Sequence, residues 1–294
     1  MLSEIAHAKV NLTLRVLGRR GDGYHALESL VTFAKLGDVV SLDTGAAGGG
    51  VTVSGPFAAA IEGENLLSRL MALVAARAPD LRLGAVRLEK NLPVAAGLGG
   101  GSADAAALIR LIRHAIAGHP AVEHLDWSSI AVQLGADVPV CVLDRPALMW
   151  GIGERLLVVA QDVATRAPLP AVLVNPRLPL STRDVFQALA APPLPREPDP
   201  PALPHLATAD DLAAYMRAIG NDLEPPARAL LPAIAEVKAA LTAQVGCLHA
   251  ALSGSGPTCF ALYASDTAAE AAARAIAIAE PGWWVAATTL AFPG

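Results

Sequence analysis

The sequence predicts an α+β protein built from two domains. Three observations lead there. Residues 5 to 16 alternate apolar and polar side chains, the period-two pattern of a strand. Leu108, Leu111, Ile112 and Ala115 recur at helical spacing. The run PPLPREPDPPALP, residues 192 to 204, is dominated by proline and must be an extended connection. A chain of 294 residues is long enough for two domains, and they are expected at 1–160 and 161–294.

In chain order, the first strand places Ala8, Val10, Leu12, Leu14 and Val16 on a buried face and His7, Lys9, Asn11, Thr13 and Arg15 on the other. Lys9 and Asn11 therefore stand side by side, roughly 6.7 Å apart at about 3.3 Å per residue. GRRGDGYH at 18–25 is a glycine-rich turn. Residues 26–42 read as further strand, ending near the turn signal Gly37-Asp38. GAAGGG at 45–50 reads as a hairpin connection. A helix is expected over 65–78, stopped by Pro79, and a strand over 83–90. The helix that follows starts at Ser102 as cap and ends at Gly118 and Pro120. A second helix covers 127–134, and strands are expected at 138–143 and 147–160. Beyond the proline run, helices at 208–219 and 225–243 alternate with strands at 248–253, 258–263 and 283–290.

The bulk properties exclude several classes. Net charge is −5 with no Lys/Arg run, so there is no electrostatic footprint for nucleic acid. Cys141, Cys247 and Cys259 are scattered and odd in number, which suits a reducing cytosol rather than a disulfide framework. The start MLSEIAHAKV lacks a signal pattern, and no apolar run approaches the ~20 residues of a membrane span. A cytoplasmic protein, monomeric or weakly dimeric, with no nucleic-acid or membrane partner is expected. The histidines at 7, 114, 119, 124, 205 and 249 show no metal spacing.

The stretch NLPVAAGLGGGSADAA, residues 91–106, carries the chemistry. Strand, glycine loop and helix follow one another there. The first N–H groups of a helix lack internal partners and sit at the positive end of its dipole. Glycines let such a backbone wrap a phosphate without Cβ clashes. A bare strand-to-helix turn would need fewer of them than Gly97, Gly99, Gly100 and Gly101. A P-loop is excluded because no lysine follows the glycines. A dinucleotide fingerprint fails because Ser102 or Asp104 stands where its last glycine belongs, and no HRD or DFG of a protein kinase occurs.

The segment PVAAGLGGGSADAA from Pro93 resembles the signature of the GHMP kinase superfamily. AKVNLTLRVLGRRGDGYH, GADVPVCV at 135–142 and SGSGP at 253–257 resemble further motifs of one branch, in the same order along the chain. ENL at 64–66, GIGE at 151–154 and NDLE at 221–224 also fit. Ala103 departs from the pattern, since many members carry a second serine there. The resemblance implies a two-domain GHMP kinase fold: an N-terminal domain like domain 2 of ribosomal protein S5, a ferredoxin-like C-terminal domain, and an active site in the interdomain cleft. It implies ATP and Mg2+ as cofactors. The acceptor it implies is the 2-hydroxyl of 4-diphosphocytidyl-2-C-methyl-D-erythritol, a small molecule with a cytidine diphosphate group, in non-mevalonate isoprenoid biosynthesis.

Site roles follow from that resemblance. An aspartate in a loop is most often a cap or turn residue, but the family aspartate matching Asp137 is the base. Lys9, on a strand where lysine is usually solvated, matches its partner and would keep it ionised by charge proximity. Proton transfer should come late, because a carboxylate near its reference pKa of about 3.9 cannot deprotonate an alcohol in the ground state. Pro93, Gly97, Leu98, Gly99, Gly100, Gly101 and Ser102 would take ATP phosphates, and Asn65 and Lys90 the adenine. Tyr24, His25 and Phe186 would hold the pyrimidine, and Asn11 and Thr182 the methylerythritol hydroxyls. Ser253, Gly254, Ser255 and Gly256 would close the site through backbone N–H groups, although SGSGP alone is equally a hairpin. Asp104 is expected to point sideways, away from phosphate. No carboxylate is named as a metal ligand, the ion being held by ATP and water. Two rivals remain: another GHMP kinase acting on homoserine, mevalonate or a sugar, and a non-catalytic nucleotide-binding protein.

Overall fold

The computed structural model describes residues 1–61, 63–159 and 168–292. In order, the elements are β1 (Leu2–Asn11), β2 (Arg15–Arg19), β3 (His25–Asp43), β4 (Gly50–Ser54), a 3₁₀ turn (Ala58–Ala60), α1 (Leu66–Arg77), β5 (Ala85–Glu89), α2 (Gly100–Ala115), α3 (Pro120–Glu123), α4 (Trp127–Leu134), α5 (Val138–Leu143), β6 (Ala147–Gly151) and β7 (Arg155–Val158). Then come β8 (Leu169–Asn175), α6 (Thr182–Leu189), α7 (Ala209–Ile219), α8 (Glu224–Leu230), α9 (Ala233–Thr242), β9 (Cys247–Leu252), β10 (Cys259–Tyr263), α10 (Asp266–Ala279) and β11 (Trp284–Leu290). Among the described residues no helix is long and apolar enough to cross a membrane.

The chain forms two compact units that interleave along the sequence. One comprises 1–8, 36–94 and 99–144; the other comprises 9–35, 95–98 and 145–294. The boundary expected between residues 160 and 161 lies outside the described residues.

In the first unit, β5 lies between β4, to which it runs parallel, and the end of β3, to which it runs antiparallel. α2 packs against α1, α4 and α5. Its apolar stripe, including Ala105, Leu108, Ile109 and Ile112, is fully buried. Each buried Leu or Ile of that kind contributes about 1.5–3 kcal/mol relative to exposure.

In the second unit, the antiparallel order β11-β8-β10-β9 is covered by α9 and α10. Val172, Val174, Leu252, Ala261 and Tyr263 meet Ile234, Val237, Leu241 and Ile276 in its core. Tyr263 donates its hydroxyl to Leu241 O at 3.1 Å, which satisfies the polar end of a buried ring.

Several sequence expectations need correction. The first strand ends at Asn11, and both of its faces are buried from Ala8 onward, because Lys9 and Asn11 are themselves covered. β3 does not stop at Gly37-Asp38. A Cβ on Gly37 would lie 2.1 Å from Ala6 O, so glycine here permits the close approach of β1 rather than a turn. The 45–50 segment is not a hairpin connection, since β4 pairs with β5 and not with β3. Residues 138–143 form a helix, not a strand; Pro139 in the first turn suits a helix start. The 225–243 helix is split by Pro232, which caps α9 and cannot continue α8. The expected strand at 147–160 is the hairpin β6–β7, with residue 160 outside the described residues. Elements β8, α6 and α10 were not expected at all. For α6 the signal was present: Ser181 caps it by accepting from Asp184 N, an S-x-x-D start.

Candidate functional site

In the first unit α2 begins at Gly100, directly after Gly99. Gly99, not Ser102, caps the helix. It is left-handed at φ 62° and supplies no side-chain acceptor for the helix's first N–H groups. Those groups are therefore available to an anion, at the positive end of the dipole. Ser102 sits in the first turn, and Ala103 behind it is 2% exposed, so a serine hydroxyl there would be buried.

Asp137 stands at the start of α5, after Gly135. A Cβ on Gly135 would lie 4.0 Å from Ser102 Oγ, so the GADVP segment lies beside the start of α2. The far end of α5 is held by Arg110 of α2, whose guanidinium donates to Cys141 O and, at 3.4 Å, to Val142 O, and pairs with Glu4. α2 thus fixes α5 and with it the position of Asp137.

Lys90, expected near adenine, has its ammonium buried between Asp38 and Asp104. Burial alone would depress it, but Asp104 and Asp38 outweigh that and hold it above its ordinary value. Asp104 does not point sideways; it turns into the core and is 2% exposed. Burial, opposed by Lys90 and reinforced by Asp38, pushes its carboxyl up to about 7. Asn65 is half-buried and caps α1, its Oδ1 accepting from Leu67 N at 2.9 Å. Pro93 is buried.

The second unit gathers another set. Lys9 N donates to Leu98 O at 2.9 Å, which fastens β1 to the glycine loop. Lys9 Nζ donates to Asn11 Oδ1 at 3.1 Å, and Asn11 Nδ2 donates to Ser29 Oγ at 2.8 Å. Ser253 accepts from Asn11 N at 3.2 Å and donates to Gly97 O at 2.9 Å. A Cβ on Gly97, where φ is +74°, would lie 2.4 Å from Ser253 O. Gly97 is thus required by the approach of the SGSGP loop as well as by any ligand. Gly256 N donates to Ser253 O at 3.0 Å, closing that loop as a turn, and a Cβ on Gly254 would lie 3.2 Å from Asn11 Oδ1.

Thr182 Oγ1 is 2.8 Å from Ser255 Oγ, bringing the start of α6 to the same loop. His25 and Phe186 stack at 4.9 Å with 30° between planes. Burial and Arg19 lower the His25 pKa, favouring the neutral ring. Tyr24 is 60% exposed at the end of a turn pinned by Asp22, an open aromatic face.

The structure therefore places Lys9, Asn11, Gly97, Leu98, Ser253, Gly254, Ser255, Gly256 and Thr182 in one network, and His25 with Phe186 in a stack. Gly99 to Ser102 and Asp137 group in the first unit. Asp38, Ser29 and Asn221 escaped sequence reasoning. Asn221 Nδ2 donates to Leu252 O at 2.9 Å and Gly254 O at 2.8 Å, buttressing the SGSGP loop, and only NDLE hinted at it. Among the described residues no group of three or more His, Cys, Asp or Glu could hold a metal ion.

Comparison with known proteins adds the family. Residues 65–145 match the model of the GHMP kinases N terminal domain, and 202–281 that of the GHMP kinases C terminal. A 4-diphosphocytidyl-2-C-methyl-D-erythritol kinase from Methylobacterium radiotolerans is 48% identical over 296 residues, covering 99% of each chain. One of the same name from Parvibaculum lavamentivorans is 48% identical, covering 97% of this chain and 96% of that one. This chain belongs to the 4-diphosphocytidyl-2-C-methyl-D-erythritol kinase family. A crystal structure of a 4-(cytidine 5'-diphospho)-2C-methyl-D-erythritol kinase superposes with a TM-score of 0.75 at 33% identity, covering 99% of this chain and all of that one, 100%. The fold extends beyond the 4-diphosphocytidyl-2-C-methyl-D-erythritol kinases. A homoserine kinase from Cytophaga hutchinsonii, 19% identical, shares it with a TM-score of 0.63 over 98% of this chain and 94% of that one.

Proposed function

We propose that this protein transfers the terminal phosphoryl group of ATP to the 2-hydroxyl of 4-diphosphocytidyl-2-C-methyl-D-erythritol. The observation that carries the reading is the 48% identity, over 99% of each chain, to a kinase of that name. The local geometry fits it. Phosphoryl transfer asks mainly for positioning and for charge stabilisation, with little covalent work from the protein. The start of α2, capped by Gly99 without a side-chain acceptor, offers backbone N–H groups to the phosphates. ATP supplies the transferred group, and Mg2+ held by its phosphates and water would offset their charge.

Asp137 is the proposed base. It accepts the acceptor hydroxyl's proton late, as the oxygen becomes bonded to phosphorus. Lys9 supplies positive charge that steadies the acceptor oxygen while charge develops. Asn11 orients the Lys9 ammonium through its Oδ1. Tyr24, His25 and Phe186 hold the pyrimidine by stacking, Asn11 and Thr182 hold the methylerythritol hydroxyls, and the Ser253–Gly256 turn closes the site over phosphate. The N-terminal ATP-binding domain is set at 1–160 and the C-terminal domain at 161–294.

An acceptor panel tests this. With ATP, kcat/KM for the cytidyl substrate should exceed that for homoserine, mevalonate or a hexose by at least about 10⁴, because a site built for a polar handle rejects acceptors that lack it. Faster turnover of homoserine than of the cytidyl substrate would overturn the proposal.

A further inference from the structure

A charged cluster that the proposed reaction does not use lies beneath the first turn of α2. Lys90 Nζ donates to Asp38 Oδ2 and, at 2.8 Å, to Asp104 Oδ2, and none of the three side chains is more than 4% exposed. Asp38 is pinned, its Oδ1 accepting from Asn91 N and, at 2.8 Å, from Leu92 N. Asp104 is not: its Oδ1 is buried and finds no hydrogen-bond partner among the described residues.

One ammonium thus faces two carboxylates. With both ionised, the cluster carries a net charge of about −1 in surroundings where an unmatched charge is costly. The cluster also touches the helix start. A Cβ on Gly100, the first residue of α2, would lie 3.1 Å from Lys90 Nζ and 3.6 Å from Asp38 Oδ2. Gly100 therefore lacks a side chain for an internal reason, and the backbone proposed to meet phosphate rests directly on this cluster.

We propose that Asp104 is a positioning residue acting through Lys90, and that a polyphosphate bound at the start of α2 is accompanied by uptake of a proton on Asp104. The inference rests on the reading of that helix start as the nucleotide site. The proton comes from solvent and adds to a carboxylate oxygen; no other bond changes. The charged groups that act on Asp104 are Lys90 and Asp38. A bound polyanion adds negative charge close by, which raises the proton affinity of Asp104.

The sign follows by linkage. At low pH Asp104 is already protonated, the cluster is neutral, and phosphate binds without proton exchange. As pH rises through the titration of Asp104, which burial places near 7, binding must carry a proton in or meet the uncompensated charge. ATP affinity therefore falls with rising pH.

Calorimetric titration with ATP, in two buffers of different ionisation enthalpy, compares wild type with Asp104→Asn. At pH 7 wild type should take up about 0.3–0.5 proton more than Asp104→Asn, ATP's own ionisation being common to both. Between pH 6 and 8 the wild-type Kd should weaken roughly 3- to 10-fold more than that of the variant. ATP binding with equal proton uptake in both proteins overturns the inference alone. Failure of wild type to bind ATP removes the nucleotide site and the inference with it. If Asp104→Asn does not fold, ¹³C-aspartate-labelled wild type decides: one carboxyl should titrate near neutral pH with a midpoint that ATP raises, and the lack of such a carboxyl contradicts the proposal.

Discussion

Asp137 sits where its backbone can be held from both ends of α5, by Gly135 beside Ser102 and by Arg110 at the last carbonyls. That rigidity suits the base proposed above, which has to meet one proton in one geometry. Asp137→Asn should lower kcat by about 10²- to 10⁴-fold while the Kd for ATP changes less than about threefold. Rapid-quench kinetics and calorimetry separate the two. A variant that loses ATP binding in step with turnover would mean Asp137 shapes the nucleotide site instead. At this scale the sequence was informative where a period or a motif fixed the geometry. Lys9 and Asn11 share a face because strands alternate, and they are indeed hydrogen-bonded. The Lys90 cluster was invisible because its partners lie 52 and 14 positions away, and burial of a charge is a tertiary outcome. Gly97 shows both sides: its conspicuous glycine signals close approach, but only the structure shows that part of the approach is to Ser253 O.

Elements were legible in proportion to their length and the strength of their ends. α1, α4 and α7 match the expected spans within a residue or two, because each has a side-chain cap and a clear apolar stripe. The run VPVCVL misled because short apolar stretches do not distinguish strand from buried helix by period alone. There the deciding contact is with α2, which no local pattern reveals. Gly37 misled in the opposite sense, a turn residue used for packing. Gly37→Ala would drive a Cβ onto Ala6 O, which lies 2.1 Å from its ideal position, and neither backbone can yield without breaking the pairing of β1 with β3. The variant should lose about 2–4 kcal/mol of stability in urea denaturation. A loss below about 0.5 kcal/mol would show that β1 can move aside.

The molecule as a whole carries a net charge of −5 and no basic run, yet its proposed substrates are both polyanions. Charge attraction over the surface cannot gather them, so binding must be local, through helix starts, glycine turns and the few cations they surround. The sequence separated this architecture from P-loop and dinucleotide folds because those need residues that are missing at fixed offsets. It did not reveal that the compact units interleave, with 9–35 and 95–98 joining the later residues. Such a partition depends on which strands pair, and strand pairing is non-local. The family membership and the local geometry converge on one reaction, and product structure tests it most directly. Incubation with ATP and 4-diphosphocytidyl-2-C-methyl-D-erythritol, followed by ³¹P NMR, should show one new phosphomonoester, coupled to the carbon bearing the 2-hydroxyl, for each ADP formed. ADP and inorganic phosphate with an unchanged acceptor, or a phosphate on another hydroxyl, would contradict the account.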